Sequence, residues 1–419
     1  MLGRLDLSPV SVFYATRGAY FFLLAMVGSA NLVYQVDVAK LSTLELVLVG
    51  ALMEATIFIC EVPTGVVADT VSRRLSVVIG FFLFGIGWMI VGASPQFATI
   101  MAAQLVIGVG STFISGAHQA WIADEIGVER VGTVYLKSAQ IAQVCRLVGT
   151  PLSIAFAAVF DVWVPIVIAG ASYALLAPIM LAAMSEKGFQ PPERGIETRA
   201  LESMKRTLVE GSRLVKGSEL LVIILAISLI YGMASEGFDR LFTAHFFRNL
   251  GFPEMWHLEP IIWIGVVRTG WVVLGIIVIS VVIKKVNTAS DGALTRSLFV
   301  INALQAVSLV GFALAGNFEV GMLMCWSGVA LSVAHEPLYL AWINQHVESQ
   351  VRATVISMGS QLDSLGQIIG GPALGTLGTL TSLRAALLGA GAVLLPALLL
   401  YTRAAKLGST PKSRGPVQA

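Results

Sequence analysis

The stretch Gly65-Val66-Val67-Ala68-Asp69-Thr70-Val71-Ser72-Arg73-Arg74, directly after Glu61-Val62-Pro63, decides how this chain is built. It separates two apolar runs, Thr43 to Pro63 and Leu75 to Ala93. Each run is about 20 residues, the length a helix needs to cross roughly 30 Å of hydrocarbon. A link of small residues with one Asp and two Arg is expected to turn tightly at the membrane surface. The two Arg mark that surface as cytoplasmic.

The same pattern repeats along the chain. Of its 419 residues, 56% are hydrophobic and only 12% charged, against about 25% charged in a soluble globular protein. Twelve apolar runs are expected to span: 18–36, 44–63, 75–93, 98–121, 138–160, 162–184, 219–242, 260–283, 294–316, 320–343, 354–377 and 383–402. The fold class this implies is an all-α integral membrane protein with twelve transmembrane helices in two pseudo-symmetric six-helix bundles. Charge gathers between the runs, as it must when an ion at mid-bilayer costs about 2.5–3.5 kcal/mol or more. No cleavable signal peptide is expected, because the first run is long enough to span.

Lys and Arg set the orientation. With the N-terminus inside, 20 of the 27 basic residues fall on cytoplasmic segments, and only Lys40, Arg248 and Arg384 fall on external loops. This asymmetry predicts a multi-pass plasma-membrane protein with both termini in the cytoplasm. The other four, Arg17, Arg146, Arg240 and Arg268, fall within spans or at their ends. Cys60, Cys145 and Cys325 have unrelated spacings and read as free buried thiols, not as a metal site or disulfide framework.

The one long hydrophilic stretch, 185–217, contains Pro191-Pro192 followed by mixed charges, with a surface helix expected around 197–216. It divides the chain into a bundle over 1–184, a linker over 185–217, a bundle over 218–404 and a tail over 405–419. The two halves also match each other. With a shift of 221, Ala120-Trp121-Ile122 falls on Ala341-Trp342-Ile343, Thr133-Val134 on Thr354-Val355, Gln140 on Gln361, Gly149 on Gly370 and Pro151 on Pro372. With one insertion, Asp69 and Arg74 fall on Asp291 and Arg296, a degraded second copy of the opening turn. Parallel six-helix repeats with a substrate site at their interface are a transporter architecture.

The opening turn resembles the signature loop between the second and third helices of the major facilitator superfamily. Gly65, Asp69, Arg73 and Arg74 match that loop. Ser72 stands where the family usually has Gly, and Thr70 where it often has a basic residue. The resemblance covers the whole chain and points to the twelve-helix drug:proton antiporters. It implies a latch of Gly65, Asp69, Arg73, Arg74, Asp124 and Arg352. Asp69 would face the start of the helix beginning near Arg352, where the helix dipole favours an anion, and Arg73 would pair with Asp124. Both contacts would form when the cavity faces outward and break when it opens inward. The family's antiporters also carry a Gly-rich stretch ending in Gly-Pro on the fifth helix. Here Thr150 interrupts it, as Gly149-Thr150-Pro151, and the intact copy is Gly370-Gly371-Pro372 in the eleventh span.

Ionisable residues inside spans are the site candidates. Glu54 and Asp363 sit near the middle of the second and eleventh spans, which face each other in the resembled fold. Two carboxylates at one depth cannot both ionise cheaply, so they are expected to carry the coupling proton. Glu336 and Glu236 are further proton candidates. Glu236 also stands one helical turn from Arg240, so a local ion pair is expected there. His335-Glu336-Pro337 is expected to interrupt the tenth span. Arg146 and Arg268, in spans expected to face each other, are candidates to anchor a negatively charged substrate group, as are Gln140 and Gln361 for a polar one.

No GxxxxGK phosphate loop is present, so ATP-driven transport is not expected, and no soluble-enzyme constellation of residues stands out in the sequence, so no enzyme activity is expected. No metal or other cofactor is expected, the proton gradient being the energy source. The expected partners are a small-molecule substrate, protons and membrane lipids, with no nucleic acid, and the chain is expected to be a monomer. The first functional reading is proton-coupled export of small amphipathic drug-like compounds. The second is import or exchange of a small organic anion, and the third a transporter-like sensor or scaffold.

Overall fold

A computed structural model describes residues 7–190, 217–286, 291–347 and 349–409. Among these residues the regular structure is helical throughout. Its helices are α1 (Pro9–Val33), α2 (Thr43–Thr70), α3 (Arg73–Ala93), α4 (Phe97–Ile126), α5 (Val128–Val159), α6 (Trp163–Ala183) and α7 (Glu219–His245). After these come α8 (Pro260–Lys285), α9 (Asp291–Leu314), α10 (Phe318–His346), α11 (Ser349–Leu380), α12 (Leu383–Val393) and α13 (Leu395–Ser409). Hydrocarbon leaves no water to satisfy backbone N–H and C=O groups, so a spanning segment closes its own hydrogen bonds as a helix.

Eleven helical segments are long and apolar enough to cross a membrane, and α12 with α13 counts as one of them, Leu383–Leu407. The helix of the eleventh expected run, α11, is not in that set. It carries Gln361, Asp363, Gln367 and a series of glycines, which lower its hydropathy.

Several boundaries differ from the sequence reading, each for a local reason. The opening stretch is not a ten-residue link. Helix α2 continues through Gly65 to Thr70, supported by Thr64 Oγ1 donating to Cys60 O at 2.8 Å and Thr70 Oγ1 to Val66 O at 2.7 Å. The turn is only Val71-Ser72, and Ser72 then caps α3 by accepting from the Leu75 N–H at 2.9 Å. Helices α4 and α5 run well past their apolar cores and meet at Gly127, whose φ of +86° suits glycine. Pro337 does not interrupt the tenth span, since α10 is continuous across it. The last span does break, at Leu394, because Pro396 offers no N–H to continue the ladder. Asn302 Nδ2 donates to the Leu394 carbonyl there at 3.1 Å. The expected helix at 197–216 lies outside the described residues, as does the side chain of Asp291.

Helix α3 packs on α4 and α6, α1 on α5 and α6, and α2 on α4. In the second half of the chain α7 packs on α11 and α12, α8 on α10, and α9 on α10, α12 and α13. Between these groups α2 lies against α7 and α11, and α5 against α8. The matching Trp121 and Trp342 are both 1% exposed, so both serve as core. Trp121 Nε1 donates to Ser185 O at 2.6 Å.

Candidate functional site

The interior charges gather where α2, α7 and α11 meet, with Arg268 of α8 reaching Phe242 of α7. Glu236 and Arg240, one turn apart on α7, form an ion pair, with Arg240 Nε donating to Glu236 Oε1 at 2.8 Å. Its seat is glycine on both sides. A Cβ on Gly50 of α2 would run into the Glu236 carboxylate and the Arg240 guanidinium, and a Cβ on Gly371 of α11 would stand 3.0 Å from Glu236 Cγ. Absent side chains at Gly50 and Gly371 thus let α7 place an ion pair against two helix backbones.

The remaining acids surround this pair. Glu54 lies within electrostatic reach of Glu236, Arg240 and Asp363. Asp239 feels Glu236, Arg240, Arg268 and Asp363. Asp363 accepts a hydrogen bond from Gln367 Nε2 at 2.9 Å. It also feels Glu336, which lines the same cavity of about 570 Å³, together with Tyr231, His335, Tyr339 and Ser360. His335 stacks on Tyr231 with ring centroids 4.0 Å apart, and its Nε2 lies 2.7 Å from Tyr401 Oη. Four carboxylates, Glu54, Glu236, Asp239 and Asp363, therefore share one neighbourhood with two guanidiniums, Arg240 and Arg268.

Of the expected basic seam, the fifth and eighth spans do lie against each other, as α5 on α8. Arg268 stands over Phe242 and Trp271, 5.4 and 5.6 Å from their ring centroids, and its carboxylate neighbour is Asp239. Arg146 lies with Arg17 on Phe21. Gln140 is exposed on α5. Gln361 Nε2 reaches Glu61 Oε2 in a long 3.4 Å contact between α11 and α2.

The turn residues are split between two neighbours. Arg73 forms an ion pair with Asp124 at 2.6 Å and a looser one with Asp69 at 3.4 Å. Arg74 faces Glu186, whose carboxylate also accepts from Ser72 Oγ at 2.8 Å and from the Arg74 N–H at 3.0 Å. Sequence reading missed Glu186, because it belongs to the hydrophilic stretch after α6 and reaches the turn only in space. Arg352 donates to Asn344 O and Val347 O at the end of α10, at 3.0 and 3.2 Å. Asp69 and Arg352 are thus each engaged elsewhere in this state. A Cβ on Gly65 would meet open space.

The two helix groups close on each other at the end bearing Arg248. Its guanidinium donates to Leu41 O and, at 3.4 Å, to Thr43 Oγ1. Gly375 and Gly378 of α11 take Leu44, Val47 and Thr43 of α2 at close range. Replacing Gly50 with Ala is expected to force the α2–α7 seam open at the ion pair and loosen this closed end. A cysteine at Leu44, in a chain stripped of its own three cysteines, should then react several-fold faster with a maleimide. An unchanged rate would show that the seam absorbs the methyl group. Among the described residues no three His, Cys, Asp or Glu side chains are placed to hold a metal ion.

A helical chain with this many membrane-length apolar segments is a multi-pass membrane protein. It belongs to the Major Facilitator Superfamily, whose family model matches residues 11–362, and it is a transporter of that family. It is similar to YxaM, an uncharacterized MFS-type transporter of Bacillus subtilis (strain 168), at 22% identity over 367 residues, 87% of this chain and 88% of that protein. The structure resembles that of the nucleoside transporter NupG with a TM-score of 0.76 at 12% identity, covering 95% of this chain and 99% of that one. A bacterial homologue of the human lysosomal transporter Spinster, in an inward-facing and unoccupied conformation, matches with a TM-score of 0.74 at 12% identity. That match covers 96% of this chain and 98% of the homologue. At such identities the likeness is one of fold.

Proposed function

We propose that this chain is a proton-coupled secondary transporter that moves a small amphipathic solute by alternating access, with export of drug-like compounds as its direction. In this reading twelve spans form two six-helix bundles, 1–184 and 218–404, that rock about the interior charge cluster. The observation that carries it is the excess of acid in that cluster, four carboxylates against two guanidiniums at the seam between α2, α7 and α11. Repulsion among surplus carboxylates is relieved by binding protons. A seam that opens and closes changes how much water and positive charge each carboxylate meets. Proton uptake and release are then tied to the bundle movement.

The closed Arg248 end becomes the external face under the basic-residue orientation, which makes this the inward-facing state. The aromatic walls of the cavity at Tyr231, His335 and Tyr339 suit an amphipathic solute. The ion pair of Arg73 with Asp124 is present in this state. That argues for a latch in which Asp69 and the start of α11 are the parts that join and separate. The Arg73–Asp124 pair then holds the turn against α4 throughout.

Purified protein in liposomes tests the coupling. With an imposed pH gradient, a panel of amphipathic dyes and antibiotics is expected to include compounds that accumulate against their own gradient. Dissipating the pH gradient with a protonophore should stop accumulation. Accumulation at the full rate without any pH gradient would exclude proton coupling.

A further inference from the structure

Arg17 of α1 and Arg146 of α5 share one aromatic ring. Their guanidinium carbons stand 4.6 and 4.4 Å from the centroid of Phe21. Among the described residues neither guanidinium takes part in a hydrogen bond or ion pair, and Arg17 Nε is buried without a partner. The two feel each other's charge, and the other titratable groups that face them are phenols, Tyr20 for both, Tyr135 for Arg17 and Tyr173 for Arg146, together with the His118 imidazole, which feels Arg17. No carboxylate of the acidic cluster is among these groups; the charged groups that Glu54 meets are Glu236, Arg240 and Asp363. Arg240 and Arg268, by contrast, each have a carboxylate neighbour.

Two like charges within membrane spans and without a counter-charge are costly, and such groups recur where an ion or substrate binds. Phe21 holds each guanidinium by its ring face, a cation–π contact that uses no N–H donor. The five donors of each arginine stay available, in the planar fork that matches a carboxylate, sulfonate or phosphate.

We infer that Arg17 and Arg146, which share the Phe21 ring, form an anion-binding subsite, and that the transported solute is an amphipathic organic anion whose acidic group docks there. This rests on the transporter reading above and names the substrate class for it. The acidic group sits among Arg17, Arg146 and the Tyr20 hydroxyl, and the apolar body extends toward the aromatic side chains of the opposite half. The arrangement also separates the two tasks in space. Protons belong to the carboxylates on α2, α7 and α11, and the anion belongs to α1 and α5.

Equilibrium binding to the purified full chain, with no gradient present, tests the subsite apart from coupling. The probes are naphthalene-1-sulfonate, its neutral analogue naphthalene-1-sulfonamide, and inorganic sulfate as competitor. Naphthalene-1-sulfonate is expected to bind saturably and to be displaced by sulfate, while the sulfonamide is not displaced. Arg17→Gln and Arg146→Gln should each weaken sulfonate binding at least about tenfold, a change of about 1.4 kcal/mol, and leave the sulfonamide within twofold. Arg146→Lys keeps the charge without the fork and is expected to fall between wild type and Arg146→Gln, which covers the case of a Gln variant that fails to fold.

A lipid head group carries the same chemistry, so the measurement is made in nanodiscs of phosphatidylcholine and again with phosphatidylglycerol. Loss of sulfonate binding in phosphatidylglycerol assigns the subsite to a lipid phosphate. Undiminished binding assigns it to a soluble anion. The second result supports the inference; the first keeps the anion subsite and overturns the transported anion as its occupant. No saturable sulfonate binding to the wild type in phosphatidylcholine, or equal loss of both naphthalene probes in the Arg variants, overturns it. Failure of pH-driven transport with this binding intact would overturn only the coupling.

Discussion

Replacing Arg240 with Met is expected to destabilise the protein by about 3–5 kcal/mol, the cost of leaving a buried charge without its partner. The carboxylate left behind is that of Glu236, which is 3% exposed. It is wedged between the Gly50 and Gly371 backbones, where no other basic side chain takes the place of Arg240. The double variant Glu236→Leu, Arg240→Met removes both charges while filling similar volume, and should recover most of the loss, because a buried pair contributes little net stability over apolar replacements. Denaturation in mixed micelles measures both. A single variant as stable as the parent would mean that water reaches Glu236 freely and the seam is not packed as described.

Glu54→Gln is the second change with a large expected effect. Gln keeps the shape and hydrogen-bonding capacity of Glu54 but cannot exchange a proton. In proteoliposomes, accumulation driven by a pH gradient should fall to the level of protein-free vesicles. Exchange of labelled solute for unlabelled solute across the same membranes should continue, since the bundle movement needs no net proton transfer. This split separates a coupling residue from a merely structural one, whose loss would stop both. Full gradient-driven accumulation in Glu54→Gln would move the coupling role to Asp239 or Asp363, the other carboxylates of the cluster besides Glu236, which is held by Arg240.

The candidate site was legible in the sequence where its contacts are local. Glu236 and Arg240 are one helical turn apart, so their pairing follows from helix geometry alone. The pairing of Arg73 with Asp124 was readable through the family resemblance, and the structure adds Glu186 as the partner that holds Arg74 and Ser72. The fifth and eighth spans, which carry Arg146 and Arg268, do lie against each other as expected, but spacing along the chain does not say which side chains each Arg meets. Arg268 is taken up by Asp239, and Arg146 by Phe21 and Arg17. Arg17 carried no signal of its own, being one basic residue near the start of an apolar run.

The turn from Gly65 to Arg74 shows the same division. Its sequence determined that the chain turns at a membrane surface and pointed to the family, because crossing hydrocarbon imposes a length, a hydrophobicity and a self-satisfied backbone on each segment separately. Those are properties of one helix at a time. The tertiary structure decided that the stretch is mostly helix with a two-residue turn, that Glu186 anchors it, and that Gly50 and Gly371 make room for an ion pair between helices. The anchoring by Glu186 and the seat at Gly50 and Gly371 depend on separate parts of the chain approaching within van der Waals distance. Side-chain volume and backbone approach across the bundle set that distance, and neither is written in the order of residues along one chain segment.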